Sequence, residues 1–376
     1  MGRINENTKI AGSFTVEQWK DFRQTLLNFD AENLEAWKEA FSIFEKRIET
    51  RFLKPIRCIL SIGKFEGEGF SAAALQCILV EFLEAFYQGK IYSPSRTEDE
   101  LEKYAKKIGI SKSDLEKHLQ PNEYNSSAKL FRDFLTGHDP FRKEFTQPLA
   151  NAYYKNIRCG LLHEAATKGG TTINKLKSNS LIRPLSGGDL VLDRTKFQEA
   201  IDEFIKAYRQ ELLISQEHKK AFIRKMDDIC QLERRQYFAY GSNMDLKQLT
   251  DRVGLIYNKS TGFIKNYAFF YNKKSEDGSS KANIVNSNGY FTYGICFEID
   301  VDGFRELKKI EKGYREIEIP FYSNAGILVI VKTFISDSIV NAPPNQEYVN
   351  TIVKGARDNC LPEEYIKSVL TYHKMC

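Results

Sequence analysis

Between Ala74 and Phe86 the apolar residues Leu75, Ile78, Leu79, Phe82 and Phe86 recur at spacings of three and four, which predicts a helix with one apolar face. Phe197, Ile201, Phe204, Ile205 and Tyr208 repeat the pattern and predict helix from Phe197 to about Leu232. Charge sign alternates from Glu98 to Lys107, as on an exposed helical face. Ser113-Asp114-Leu115-Glu116 has the form of a capping box, so a helix is expected to start there. Pro140 and Pro148 interrupt the pattern before another helix over Leu149–Thr167, which ends at the breaker cluster Gly169-Gly170-Thr171-Thr172. Two short apolar runs around Ser186-Gly187-Gly188 predict a hairpin within residues 180–196.

From Tyr237 the pattern changes. Short runs of Tyr, Phe, Ile and Val alternate with Gly, Asn and Ser and predict strands at Tyr267–Tyr271, Tyr290–Ile299, Glu316–Tyr322 and Gly326–Phe334. Helices are expected at Val301–Lys312 and Gln346–Cys360. The chain therefore divides near Glu233, into a helical domain over residues 1–232 and a mixed domain over 233–376. The expected class is α+β: an all-α bundle followed by a small mixed β-barrel with flanking helices.

Composition changes this picture little. The chain has 376 residues, 42% hydrophobic and 28% charged, with a formal net charge of +5. That is ordinary for a globular protein, and too mild a charge to indicate nucleic acid by itself. Seven cysteines are scattered with no CxxC pair, which argues against a disulfide framework or a zinc site. The stretch Ser71–Phe86 carries Glu81 and Glu84 and reads as too short and too charged to span a bilayer. Gly63-Lys-Phe-Glu-Gly-Glu-Gly69 lacks the Gly-Lys-Ser/Thr ending of a P-loop. His118, His138, His218 and His373 have no ligand spacing. A reduced, cytoplasmic protein with no metal, no cofactor and no membrane association is expected.

Two constellations carry candidate chemistry. In the first, Tyr237-Phe-Ala-Tyr240-Gly241-Ser242-Asn243-Met244 is a short apolar strand running into a Gly-Ser-Asn turn, with a helical stretch at Asp245–Thr250. Backbone N–H groups of such a turn can face an anion or a developing oxyanion. By itself this reads as an ordinary turn, and Glu311 in its Lys- and Glu-rich helix as a solvated charge. The ordered set of blocks changes the weight. That opening segment, Lys281-Ala-Asn-Ile-Val285, Tyr293-Gly-Ile-Cys-Phe297, Leu307-Lys-Lys-Ile-Glu311-Lys-Gly-Tyr314, Ala342-Pro-Pro-Asn-Gln-Glu-Tyr348, and Gly355-Ala-Arg357 with Leu361-Pro-Glu-Glu-Tyr365 resemble the gamma-glutamylcyclotransferase (AIG2-like) family in order, over about residues 236–376.

This resemblance implies release of 5-oxoproline from a gamma-glutamyl amine or peptide, by attack of the substrate's α-amine on its own γ-carbonyl. It implies Glu311 as catalytic acid/base, Tyr240, Gly241, Ser242 and Asn243 as the substrate loop, and Tyr348 as a hydroxyl for the γ-glutamyl end. Tyr314 and Tyr365 fit either the core or the site. The family often has Asp where this chain has Lys308.

The second constellation is Arg158-Cys-Gly-Leu-Leu-His163. It resembles the Arg-x4-His motif of HEPN domains, over roughly residues 15–230. The resemblance implies an all-helical, metal-independent ribonuclease acting as a homodimer, of the kind found in toxins and defence proteins, with RNA as partner. Arg can hold a phosphate by two charge-assisted bonds and His can move a proton at neutral pH. On an ideal helix the two stand about 140° apart, so a second protomer would complete the cleft. Cys159 stands where active members often carry a polar residue. Three readings follow: a cyclotransferase with a helical partner domain, a ribonuclease controlled by a cyclotransferase-like domain, or a ligand sensor without turnover.

Overall fold

The apolar stripe at Ala74–Phe86 lies in a longer helix, Glu68–Gln88, in the computed structural model of the chain. Residues 5–26, 33–64, 66–94, 97–117, 122–176 and 179–371 are described; His118, His373 and Cys376 lie outside them. The described cysteines are free thiols. The chain forms two compact units, Met1–Pro94 with Asn122–Gln231, and Ser95–Pro121 with Leu232–Cys376. Residues 95–121, expected with the N-terminal helices, thus group with the C-terminal unit.

In the first unit, helix Glu68–Gln88 packs its stripe inward, with Phe86 4.7 Å from the Phe44 ring and 5.5 Å from Phe222. It starts before Ser71 and so is long and apolar enough to cross a membrane by length and composition, unlike the expectation; most of its apolar window is buried in the unit. Around it stand helices Val16–Thr25, Leu34–Ile48, Ser127–Gly137, Arg194–Ile214 and Gln216–Ile229. The helix expected to run unbroken from Phe197 is two helices, because Ser215 leaves the helical conformation and its side chain caps the second by accepting from the His218 N–H. A buried cluster ties the ends of the chain segment together: the Trp19 indole and the Arg23 guanidinium both donate to Asp227, at 2.7 and 3.1 Å.

The first unit is not all-α. Ile182–Pro184 and Leu190–Asp193 form the expected hairpin around Ser186–Gly188, and Thr172–Asn174 adds a parallel strand to it. Small two-stranded pairs also occur at Lys9–Ala11 with Phe14–Thr15, and at Ile91–Tyr92 with Glu123–Tyr124. The helix expected over Leu149–Thr167 is shorter and irregular. It runs Gln147–Ala152, widens to i→i+5 bonding over Tyr153–Arg158, and ends after Cys159–Glu164 where Ala165 turns left-handed.

In the second unit, two helices lead: α1 (Glu98–Ile108) and α2 (Lys112–Lys117). Thr97 and Glu100 form the capping box of α1. The cap of α2 is Ser111, whose Oγ accepts from the Asp114 N–H at 3.0 Å, so Ser113 lies inside the helix it was expected to start. Ala105, Ile108 and Leu115 are buried together against Ile330.

Five strands follow: β1 (Arg234–Ala239), β2 (Ile256–Lys274), β3 (Ser280–Asp300), β4 (Arg315–Ser323) and β5 (Leu328–Ile335). They close into a barrel in the order β3-β1-β5-β4-β2. All neighbours are antiparallel except β5 and β1. The two longest strands, β2 and β3, are a hairpin whose register runs from Ile256↔Ile299 to Lys274↔Ser280. Closure leaves no free edge, and Phe238, Ile264, Ile295, Phe297, Phe321 and Val331 fill the interior. Helices α3 (Leu246–Val253), α4 (Val301–Ile310) and α5 (Gln346–Asp358) flank it.

Candidate active site

Strand β1 ends at Ala239 and the chain turns sharply at Gly241 into one helical turn, Ser242–Met244, before α3. A Cβ at Gly241 would stand 3.3 Å from the Ala282 methyl and 3.5 Å from the Tyr348 hydroxyl, so glycine lets the turn lie against β3 and α5. At Gly355 the constraint is tighter: a Cβ there would meet the Met244 carbonyl carbon and the Asp245 nitrogen at 2.6 Å. Helix α5 thus packs its backbone directly on the turn. Asn359 fastens the contact, donating from Nδ2 to the Met244 carbonyl at 3.1 Å and the Gly355 carbonyl at 2.8 Å. The sequence block Gly355-Ala-Arg357 matters here for its missing side chain.

Glu311 closes α4. Its backbone N–H still bonds to the Leu307 carbonyl, but its own φ/ψ of −78°/55° leave the helix, which turns its side chain away from the exposed Lys308 and Lys309. The carboxylate meets the turn: Asn243 Nδ2 donates to Glu311 Oε1 at 2.9 Å and to the Tyr237 hydroxyl at 2.8 Å. Arg252, in the last turn of α3, donates to Asn243 Oδ1 at 2.6 Å and stands 3.6 Å from Glu311 Oε1. A guanidinium can only donate, so Asn243 must offer it oxygen and turn its NH2 to the carboxylate. Asn243 is therefore held in one orientation between a cation and an acid.

Tyr240, Gly241, Ser242, Asn243, Glu311 and Tyr348 line one small cavity, together with Tyr237, Ala282, Tyr314 and Phe334. It measures about 40 Å³, room for a few water molecules. Three of the four phenols on its wall are tied to backbone. Tyr348 accepts from the Ala282 N–H at 3.2 Å, Tyr314 donates to the Ala282 carbonyl at 2.6 Å, and Tyr240 donates to the Phe334 carbonyl. Tyr240, expected in the substrate loop, thus offers its ring and not a free hydroxyl. Tyr365 is a core residue, its ring 5.0 Å from that of Tyr293. The N–H groups of Gly241, Ser242 and Asn243 take no part in the backbone hydrogen bonds of the described residues.

Burial sets the electrostatics. The Glu311 side chain is 19% exposed. Desolvation raises its pKa above the ordinary glutamate value, and the Asn243 hydrogen bond and the Arg252 and Lys273 charges offset only part of that rise. Burial likewise lifts the Tyr348 phenol to about 12, held back by the Ala282 N–H and the Ser242 hydroxyl. The arrangement offers a carboxyl able to hold or release a proton, beside unused N–H donors. Among the described residues no group of three His, Cys, Asp or Glu side chains could hold a metal ion.

Residues 292–369 match the AIG2-like family. That match lies within the second unit. The gamma-glutamylcyclotransferase of Mus musculus is 28% identical over 142 residues, which span 34% of this chain and 73% of the mouse protein. The Homo sapiens gamma-glutamylcyclotransferase is also 28% identical, over 144 residues and the same shares. A solved gamma-glutamyl cyclotransferase aligns at 23% identity over 36% of this chain and 88% of its own, with a TM-score of 0.34.

Lys308, noted above as a departure from the Asp often found in the resembled family, is not on the cavity wall. It is 62% exposed and pairs with Glu316 at 3.2 Å. Arg252, Tyr237 and the bridging geometry of Asn243 were missed from sequence. An Arg nine residues after Asn243 carries no local signal, because only the turn between β1 and α3 brings it back.

The Arg158–His163 pair has a different setting. Arg158 bonds to Glu81 at 3.2 Å, with its guanidinium 5.6 Å from the centre of the Tyr154 ring. His163 is exposed in the last turn of its helix. Of the motif only Arg158 lies in the widened turns; Cys159–Glu164 is regular α-helix, so the two side chains keep their helical separation.

Proposed function

We propose that the second unit is a cyclotransferase that releases 5-oxoproline from a gamma-glutamyl compound. The observation that carries this is the meeting of the Glu311 carboxyl, the Gly241–Asn243 turn and the Tyr348 phenol around one cavity. The substrate's α-amine attacks its γ-carbonyl carbon, forming the ring C–N bond. The γ-amide C–N bond then breaks. One proton leaves the attacking nitrogen and one is delivered to the departing nitrogen, so the products are 5-oxoproline and a free amine.

Glu311 is suited to move both protons, since a carboxyl with a raised pKa releases and recovers a proton closer to neutrality than an ordinary one. The N–H groups of Gly241, Ser242 and Asn243 would receive the oxyanion or the substrate's α-carboxylate. Because the attack is intramolecular, holding the chain folded back supplies much of the rate. A γ-glutamyl group is larger than the present cavity, so binding requires the rim to give way.

The test is 5-oxoproline release from a panel of gamma-glutamyl amino acids, peptides and amines, for the wild type and Glu311→Gln. Turnover lost in the variant supports the proposal. A folded wild type silent on the whole panel would leave a ligand-binding unit without chemistry. The ribonuclease reading gains no observation, because the guanidinium it needs for phosphate is engaged by Glu81.

A further inference from the structure

Two lysines stand over aromatic rings that line the cavity. Lys273 on β2 and Lys281 on β3 are direct partners in the antiparallel register, so their side chains share one face of the hairpin. The Lys281 Nζ lies 4.2 Å from the centre of the Tyr348 ring, and the Lys273 Nζ 5.0 Å from that of Tyr314. Both rings belong to the cavity wall. Ala282, next to Lys281, is hydrogen-bonded to both phenols. Among the described residues neither ammonium forms an ion pair; along the same hairpin Lys259 bonds to Asn359 and Lys265 lies over the Tyr322 ring, but neither of those stands beside the cavity. Of the two carboxylates in the hairpin turn, Glu276 and Asp277, Asp277 accepts from the Ser279 N–H and hydroxyl.

Like charges directly opposite on neighbouring strands destabilise a sheet, and a cation over an aromatic face recovers only part of that cost. Within the protein the pair has only the nearby charges of Glu311, felt by Lys273, and Asp277, felt by Lys281, to set against that repulsion, and an anion from outside would relieve the rest.

We propose that Lys273 and Lys281 form an anion-binding rim that selects gamma-glutamyl compounds whose leaving amine carries two carboxylates, such as an acidic amino acid. The inference rests on the cyclotransferase reading for the site itself. With the substrate's own α-carboxylate on the Gly241–Asn243 N–H groups, the departing half projects to the rim, where each carboxylate meets one ammonium. A neutral amine leaves both lysines unanswered.

The experiment measures kcat/KM for 5-oxoproline release by the full chain from γ-glutamyl-glutamate, γ-glutamyl-alanine and γ-glutamyl-methylamide. The expected order is that order, with a gain of about fivefold for each added carboxylate, shrinking as salt is raised. Lys273→Gln/Lys281→Gln should bring the three values together, and should melt no lower than wild type because a repulsive pair is removed. An equal loss on all three substrates overturns the proposal, since the lysines would then serve the glutamyl half. So does a wild type without preference. Calorimetric binding of the three compounds to Glu311→Gln separates the two ideas. Ranked binding without wild-type turnover keeps the rim and sinks the reaction; turnover without ranking does the reverse; neither sinks both.

Discussion

Each unit of this protein holds a partly buried arginine beside a glutamate, and the two pairs are alike in composition and exposure. Arg158 and Glu81 are 18% and 24% exposed at 3.2 Å; Arg252 and Glu311 are 27% and 19% exposed at 3.6 Å. They differ in what lies between the charges. Arg158 donates straight to its carboxylate, and the pair is closed. Arg252 spends its close hydrogen bond on Asn243 Oδ1, and the Asn243 amide, a neutral donor, faces the acid. The acid is steadied without being fully neutralised, its pKa stays raised, and the space beside it is open. The same two residue types make a strut in one place and a poised proton carrier in the other.

The contrast breaks most visibly at Glu311. Glu311→Gln should lower 5-oxoproline release by roughly 10²–10⁴-fold, the usual worth of a positioned acid/base, with circular dichroism unchanged. A loss below tenfold would mean that the carboxyl is not the proton carrier. The same variant sharpens the electrostatic half of the comparison. A raised carboxyl pKa means that the folded state binds the proton more tightly than the unfolded one. Wild-type stability should therefore fall, relative to the variant, as pH rises from the ordinary glutamate value through the raised one, and level off above it. Urea denaturation at several pH values reads this directly.

Next in size is Arg252→Met. Losing the cation frees the Asn243 amide to rotate and removes a charge that favours the ionised acid. We expect a roughly 10–100-fold lower kcat/KM, with the acidic limb of its pH profile moved upward. An unmoved limb would assign Arg252 to folding alone. Tyr348→Phe leaves the Ala282 N–H without its acceptor, at a cost of about 1–3 kcal/mol if no water replaces it, and should raise KM more than it lowers kcat.

In the other unit, Arg158→Met should cost about 1–3 kcal/mol, by stranding Glu81 in a half-buried place, while 5-oxoproline release keeps its rate. RNA cleavage by the wild type that His163→Ala removes would overturn the reading of Arg158 as a strut. The smallest effect is expected at Lys308→Ala. Glu316 keeps Lys332, the site is exposed, and stability should move by less than about 0.5 kcal/mol with kinetics unchanged.

Local chemistry wrote much of the second unit into the sequence. The strands around Tyr267–Tyr271, Glu316–Tyr322 and Gly326–Phe334, the helix after Val301 and the glycine turn at 241 were all legible, because period, turn residues and motif order are properties of neighbouring positions. The helical stripes and the hairpin of the first unit were legible for the same reason. Barrel closure was not, since it depends on which edges meet across the chain. Nor were the packing of residues 95–121 with the barrel unit, the bond from Arg252 to Asn243, or the pairing of Arg158 with a residue 77 positions away. A glutamate in a lysine-rich helix looks like any surface charge until the end of its helix aims it. Burial then decides its proton affinity, and burial exists only once distant segments have been packed together.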